Sequence, residues 1–332
     1  MPKTVSDIYR KVKHLRISKE ELETHLDEMD KKGSIFGIKK GKRKYYRTQI
    51  LFVGIYEFQV NRVRREFMED IVQYLDEAFA NEMTSTGVYQ ARIVPVEKSI
   101  PYENFIYDYD NIRYLIKKVK GQIAVANCIC RVGHDVMGQN CKQTNLRESC
   151  LLFRQGAIHF INHGRARPIS KNEAIKILDE AEKSGLILQL TNAKQFYFIC
   201  TCCKCCCEGL KSVLKTGYPA KLYRTNYYAE INFHLCVKCK TCINRCQTNA
   251  LKIDKDFPVI NLDKCIGCGL CITSCPKKAI QLKKKEKKYK PPKTSYKLYL
   301  SIMSKKFGKW LVIKTILTLI LDLKLYYFLK KK

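Results

Sequence analysis

Acidic residues are scarce in this chain: 31 Asp and Glu stand against 62 Lys and Arg over 332 residues, a formal net charge of +31. With 9 Pro and 16 Gly it also lacks the composition of a collagen-like or low-complexity chain. No G-x-G-x-x-G dinucleotide loop occurs, nor a G-x4-G-K-S/T phosphate loop, nor the C-x3-C-x2-C that opens S-adenosylmethionine radical chemistry. Nothing therefore marks a substrate pocket, and an enzymatic role, if there is one, falls to a partner or to the Cys-rich middle. The start, Met1-Pro2-Lys3-Thr4-Val5-Ser6-Asp7, has no apolar stretch that could act as a secretory signal. The expectation is a cytoplasmic chain whose thiols stay reduced.

Hydrophobic residues make up 46%, enough for packed cores and too many for wholesale disorder. At this length about two or three modules are expected. The 18 cysteines dominate, and at that density in a reducing compartment they read as metal or cluster ligands rather than cross-links. Charge is uneven: residues 281–332 carry 16 Lys with only Glu286 and Asp322 as acids. Such a run points to a polyanion, either nucleic acid or an anionic membrane face.

Residues 1–50 read as a winged-helix-like unit. Ser18 and Glu21 form a capping box, Leu22, Leu26 and Met29 follow at helical spacing, and Gly33 stands where a helix ends. The basic stretch 39–44, followed by Tyr45-Tyr46, reads as a hairpin turning at Gly41. Residues 51–230 read as a mixed α/β, Cys-rich domain. A long amphipathic helix is expected over 61–79, strands over 91–96 and 122–130, and a helix over 111–120 between them. Shifting the chain by 152 residues aligns Ser18, Glu21, Leu26, Gly33 and Ile35 with Ser170, Glu173, Leu178, Gly185 and Ile187. A second helix-plus-wing unit near 170–199 is one reading of that repeat, and an ordinary capped helix is the other.

The chemistry lies in two runs, Cys236, Cys239, Cys242, Cys246 and Cys265, Cys268, Cys271, Cys275, each C-x2-C-x2-C-x3-C and offset by 29 residues. A tight loop with this spacing brings three thiolates to one centre while its backbone N–H groups face the sulfides. Over residues 231–281 the chain resembles bacterial-type dicluster ferredoxins, where the fourth Cys of each run ligates the other cluster. That resemblance implies two 4Fe-4S clusters, one on Cys236, Cys239, Cys242 and Cys275, the other on Cys265, Cys268, Cys271 and Cys246. The sequence departs from the pattern at Gln247, where Pro is usual, and at Lys238 and Lys240, which match Gly267 and Gly269. The segment 231–280 carries 8 basic against 3 acidic residues, which implies an acidic redox partner and a first cluster with the higher potential.

Ten further cysteines lie upstream: Cys128, Cys130, Cys141 and Cys150, then Cys200, Cys202, Cys203, Cys205, Cys206 and Cys207. Over about residues 50–281 the chain resembles long anaerobe and archaeal iron–sulfur proteins, known as an architecture rather than a reaction. Cys128 and Cys130 alternate on one face of the expected strand, so both thiols could reach one ion. Six Cys in 200–207 cannot all reach one tetrahedral centre, so some should complete the 128–150 group. Another iron–sulfur cluster, a zinc site, and thiols that bind nothing are the three alternatives. His134 reads as a loop histidine, and His234, near Cys236, is either a surface residue or a tuning group.

Residues 282–332 read as a basic linker broken at Pro291-Pro292 and an amphipathic helix, Trp310 to Leu329. That helix carries Lys314, Thr318 and Asp322 on one stripe, with Lys324, Tyr326 and Tyr327 beyond. It could lie in an anionic membrane interface, pack on protein, or span a membrane. The whole is expected to be an α+β, multi-domain iron–sulfur protein passing single electrons through two clusters to or from a partner enzyme. Two alternatives stand beside it. One is a redox-sensing nucleic-acid binder using Arg43, Lys44 and Arg47, disfavoured by the acidic helix 19–32. The other is a reductase subunit acting at the upstream cysteines.

Overall fold

The computed structural model describes residues 2–100, 110–314 and Leu317. At the N-terminus, Thr4 with Asp7 caps a helix, Val5–Val12, and Ser18 with Glu21 caps a second, Lys19–Lys32, which Gly33 ends at φ 74°. The strands Ile35–Lys40 and Arg43–Thr48 pair around Gly41, and Lys3–Thr4 adds a third strand on the outer side of Arg43–Thr48. Val5, Leu22, Leu26, Ile35 and Tyr46 form the small core, while Met29 stays exposed. Lys44 pairs with Asp27 at 2.6 Å and Glu23 at 3.2 Å, and Arg47 lies 4.6 Å over the Phe36 ring. Two of the three cations that a nucleic-acid reading would need are thus engaged within the unit.

This unit is latched to the rest of the chain by Asp30. Its carboxylate accepts the Gly37 N–H at 2.7 Å and meets His163 Nε2 at 3.1 Å, while Arg165 donates to the Lys31 carbonyl at 2.7 Å. The hydrogen bond to Asp30 raises the pKa of His163. Burial pulls its neighbour His159 down to about 4. A raised histidine contributes stability below its unfolded pKa and loses it as pH rises through the folded one. The stability gap between the wild type and His163→Gln is therefore expected to be larger at pH 5.5 than at pH 8.5. Thermal unfolding of both proteins at the two pH values measures it, and an unchanged gap would contradict the latch.

The helix expected over 61–79 begins later and runs further, as Arg65–Tyr74, a wider turn at Leu75–Phe79, and Ala80–Ser85. Asn61 is held outside it by donating to the Gly164 carbonyl at 2.7 Å. The centre of the molecule is a six-stranded antiparallel sheet, in spatial order Ala91–Val94, Ile187–Thr191, Phe198–Cys202, Glu148–Phe153, Ile123–Asn127, Arg167–Pro168. Its strands alternate between two cores. Ile123 and Val125 share one with Ala174, Leu178 and Ala181 of the helix Lys171–Lys183, whereas Ala124 and Ala126 share the other with Ala157 and Phe160 of Gln155–Asn162.

The repeated helix does start alike, with Ser170 accepting from the Glu173 N–H at 3.1 Å. The strands after it, however, are fully integrated in the central sheet, and Ile187–Thr191 is buried throughout. The expected strand 122–130 stops at Asn127, where the register shifts, and Cys128 caps a helix, Ile129–Val136.

After the ferredoxin-like segment the chain folds back on this body. Lys194 and Gln195 donate to the carbonyls of Pro292 and Lys293, so the expected linker break is a packed contact. The helix Ser295–Phe307 follows, with Tyr299 donating to Gln90 at 3.3 Å. Of the expected helix from Trp310 to Leu329, only residues 310–314 and Leu317 are described, and Thr318, Asp322, Lys324, Tyr326 and Tyr327 lie outside the described residues. Among the described residues no helix is long and apolar enough to cross a membrane.

Candidate iron–sulfur and metal centres

The segment 227–284 folds as two matching halves. Tyr227–Ile231 pairs with Ile280–Lys284, and Leu251–Asp254 with Phe257–Ile260, with the short helices Thr241–Arg245 and Leu270–Thr273 between. The loops share their left-handed positions: Lys238 and Gly267 lie at φ 57° and 62°, Lys240 and Gly269 at 61° and 80°, Asn249 and Lys278 at 51° and 50°. Each loop wraps a cavity. One, of about 360 Å³, is lined by Cys236, Cys239, Cys242 and Cys275. The other, of about 380 Å³, is lined by Cys246, Cys265, Cys268 and Cys271. Four thiols around a small apolar cavity is the donor set a 4Fe-4S cubane requires.

The two cavities face different surroundings, and this accounts for the departures seen in the sequence. A Cβ at Gly267 would stand 2.8 Å from the Tyr227 carbonyl carbon, and one at Gly269 would stand 2.5 Å from the Ser99 Cβ. Glycine is required there because neighbouring backbone and the segment 96–99 press on the loop, with Val96 N–H donating to the Cys268 carbonyl at 3.0 Å. No such wall meets the first loop. Lys238 reaches out to the Phe257 ring at 4.2 Å, Cys239 is exposed, and its thiol is lowered by the Thr241 hydroxyl. At the second cavity burial pushes the Cys268 thiol up to about 12, so metal ligation must expel its proton.

Gln247, the residue in the usual Pro position, is buried and joins this segment to the upstream cysteines. Its side chain accepts the Lys204 N–H at 3.0 Å and donates to Gln143 at 3.1 Å. Lys204 also donates to Asn249 at 3.0 Å. The residue after Cys246, the thiol that the first run contributes to the second cavity, thus touches the turn that carries Cys203 and Cys205.

The ten upstream cysteines separate into two sets. Cys141 lies 3.7 Å from both Cys203 and Cys205, Cys205 lies 3.4 Å from Cys203, and Cys206 lies 3.6 Å from Cys205. A metal with bonds of about 2.3 Å to four sulfurs at tetrahedral corners places those sulfurs about 3.8 Å apart. The quartet therefore has the dimensions of a single-ion site. Hydrogen bonding from Cys206, aided by Arg131, lowers the Cys203 thiol.

The other six, Cys128, Cys130, Cys150, Cys200, Cys202 and Cys207, line a separate cavity of about 680 Å³. Cys200 and Cys202 share one face of their strand by period-two alternation, and Cys207 caps the helix Glu208–Lys215. Cys128 and Cys130 do meet, but at the start of a helix rather than along a strand. Glu57 is the one carboxylate in the lining, and burial raises it to about 7.

Between the two sets sits Arg131, 1% exposed. Its Nη1 donates to the Leu146 carbonyl at 2.9 Å and to Ser149 Oγ at 2.7 Å, and its Nη2 to Thr201, all neutral acceptors. Burial pulls its pKa down, and the thiols of Cys128, Cys203 and Cys202 more than reverse this. Nothing in the sequence singled out Arg131, since one arginine beside a cysteine carries no spacing signal. His134 lies in a helix, not a loop, and its Nε2 meets Glu208 at 2.7 Å, turned away from metal ligation. His234 is exposed, its backbone N–H held by Asn232.

Residues 258–281 match the family model of the 4Fe-4S binding domain. No curated protein and no solved structure matches the chain. The segment around the second cysteine run is thus an iron–sulfur, ferredoxin-type segment in an α+β chain.

Proposed function

We propose that the chain is an electron-transfer protein that carries single electrons from a surface partner, through two 4Fe-4S clusters, toward its own Cys-rich domain. The observation that carries this reading is the asymmetry of the two cavities: the first opens on solvent at Cys239, while the second is pressed against Val96–Ser99 and touches the Cys203 turn through Gln247. The residues that would hold the clusters are Cys236, Cys239, Cys242 and Cys275, and Cys265, Cys268, Cys271 and Cys246. When bound, such clusters supply one-electron steps, and the chain supplies positioning, exclusion of water and local charge. Cys141, Cys203, Cys205 and Cys206 would hold one zinc ion in a closed four-sulfur shell, tying the 141 loop to the 203–206 turn.

Around the first cavity, Phe233, Leu235 and Val237 are each half exposed beside Lys238 and Lys240. An apolar patch ringed by cations suits a partner with acidic residues at its docking face. Attachment to an anionic membrane through residues 282–332 belongs to the same proposal, supported by the exposed Trp310, Leu311 and Ile313 and the lysines of this stretch.

Counting charge along the sequence favours the first cluster as the higher in potential, whereas the partly buried cations beside Cys265 and Cys268 favour the second. Lys285 is partly buried beside Cys265, and Arg245 lies near Cys268. A cation beside a cluster stabilises the reduced form, and more so out of water. Lys285→Gln is expected to lower the potential of the second cluster on the order of 50–100 mV and leave the first nearly unmoved. A reductive titration followed by electron paramagnetic resonance reads both. Two interacting cubane signals support the relay, and their absence from the anaerobically purified chain would overturn it.

A further inference from the structure

We infer that the cavity bounded by Cys128, Cys130, Cys150, Cys200, Cys202 and Cys207 is a separate iron–sulfur site, built for a cluster larger than one cubane and ligated by these six thiols. Three independent features carry this.

Size is the first. The space these thiols border is nearly twice as large as either of the two ferredoxin-type cavities.

The arrangement of the thiols is the second. They line one cavity from several elements: Cys128 and Cys130 from the start of one helix, Cys207 from the start of another, Cys200 and Cys202 from one strand, and Cys150 from the strand paired with it. Among the described residues no three of the six thiols come within 4.8 Å of one another together, the condition that the Cys141 quartet meets. They border a space instead of closing on a point. A single ion wants four sulfurs about 3.8 Å apart, and one cubane would leave two of the six without iron.

Charge is the third. Arg131 places a buried cation behind Ser149 and Thr201 of the cavity wall, facing the thiols of Cys128 and Cys202 on one side and of Cys203 on the other. A buried charge persists where an opposite charge meets it, and thiolates on a cluster would be that charge. The site itself stands on the cavity; only the route of its electrons rests on the relay proposed above. Cys202 and Cys207 are chain neighbours of Cys203 and Cys206, whose turn Gln247 touches, so the cavity lies at the inner end of that route.

The test uses the full chain, purified anaerobically and reconstituted with ferrous iron and sulfide, with iron, sulfide and zinc counted per polypeptide and Mössbauer spectra recorded. Two cubanes account for about eight irons, and the expected total exceeds about twelve, with one zinc. The double variant Cys150→Ser/Cys200→Ser should lose more than about four irons and keep zinc and both cubane signals. Cys203→Ser/Cys205→Ser should lose zinc and keep the iron. The single variant Cys128→Ser, at the rim, guards against misfolding, because retained cubane signals show an intact chain. An iron content unchanged by the Cys150/Cys200 change, a loss of only four irons, or the same loss from both double variants would each overturn the inference. Missing cubane signals in the wild type would instead sink the relay and leave the six-thiol site to be judged by its own iron.

Discussion

Replacing Arg131 by methionine is expected to strip metal from the upstream cysteines while leaving the metal-free chain as stable as before, or more so. The guanidinium is almost fully buried, donates to Leu146, Ser149 and Thr201, and leaves its Nε–H without a partner. Its oxygen acceptors are neutral, so in the metal-free chain the charge is met by the neighbouring thiols alone, chiefly Cys203, whose thiol it helps to lower. Exchanging such a charge for an apolar side chain of similar reach is often neutral or stabilising. Once four thiolates hold a divalent ion the balance reverses, because the site then carries a net charge of about −2 that Arg131 opposes. Removing one member of a buried charge pair costs about 3–5 kcal/mol, which corresponds to metal affinity lower by about two to four orders of magnitude. Competition against a chelator gives the affinity, and thermal unfolding with and without metal gives the two stabilities. Equal losses in both forms would show that Arg131 is merely a packing residue, and wild-type metal affinity would refute its charge role outright.

The contrast between what the sequence revealed and what it concealed follows from the range of the forces involved. The cysteine runs at 236–246 and 265–275 were legible because the ligands of one loop lie within a few residues, and the 29-residue offset repeats them. The partition of 200–207 was not. It depends on where a strand ends: alternation carries Cys200 and Cys202 to the large cavity, and the turn that follows sends Cys203, Cys205 and Cys206 toward Cys141. The same kind of boundary misled the reading of Cys128 and Cys130. The apolar run from Ile123 to Cys130 fits a strand or a helix start equally well, and only pairing with Glu148–Phe153 stops the strand at Asn127. Lys238, Lys240 and Gln247 looked like departures from a pattern. They are consequences of packing: the first two stand where, among the described residues, no wall presses, and the third stands where the end of the first run meets the turn after Cys203.

The second large effect is expected from Gly269→Ala, a change of one methyl group at a position whose counterpart, Lys240, carries a long side chain. Both residues lie in the left-handed region, at φ 80° and 61°. An alanine there is strained by about 1–2 kcal/mol, a cost that Lys240 already bears. The difference is what surrounds them. A methyl at Gly269 would fall inside the Ser99 hydroxyl, 2.5 Å from the Ser99 Cβ and 3.1 Å from Val96 Cγ2. Ser99 cannot swing aside cheaply, because it is buried and donates to the Val96 carbonyl at 2.6 Å. Overpacking of this kind costs about 1–3 kcal/mol more, so a total of about 2–5 kcal/mol should appear as lost stability or as separation of the loop from Val96–Ser99. Ser99→Gly removes the obstructing atoms, and combined with Gly269→Ala it should recover the overpacking part but not the backbone part. Thermal unfolding of the two single variants and the double variant closes this cycle. If the double variant is no more stable than Gly269→Ala alone, contact between the second loop and the Cys-rich domain is not what makes glycine necessary. The inward direction of the relay would then lose its structural basis, because the second loop would no longer be held against the Cys-rich domain.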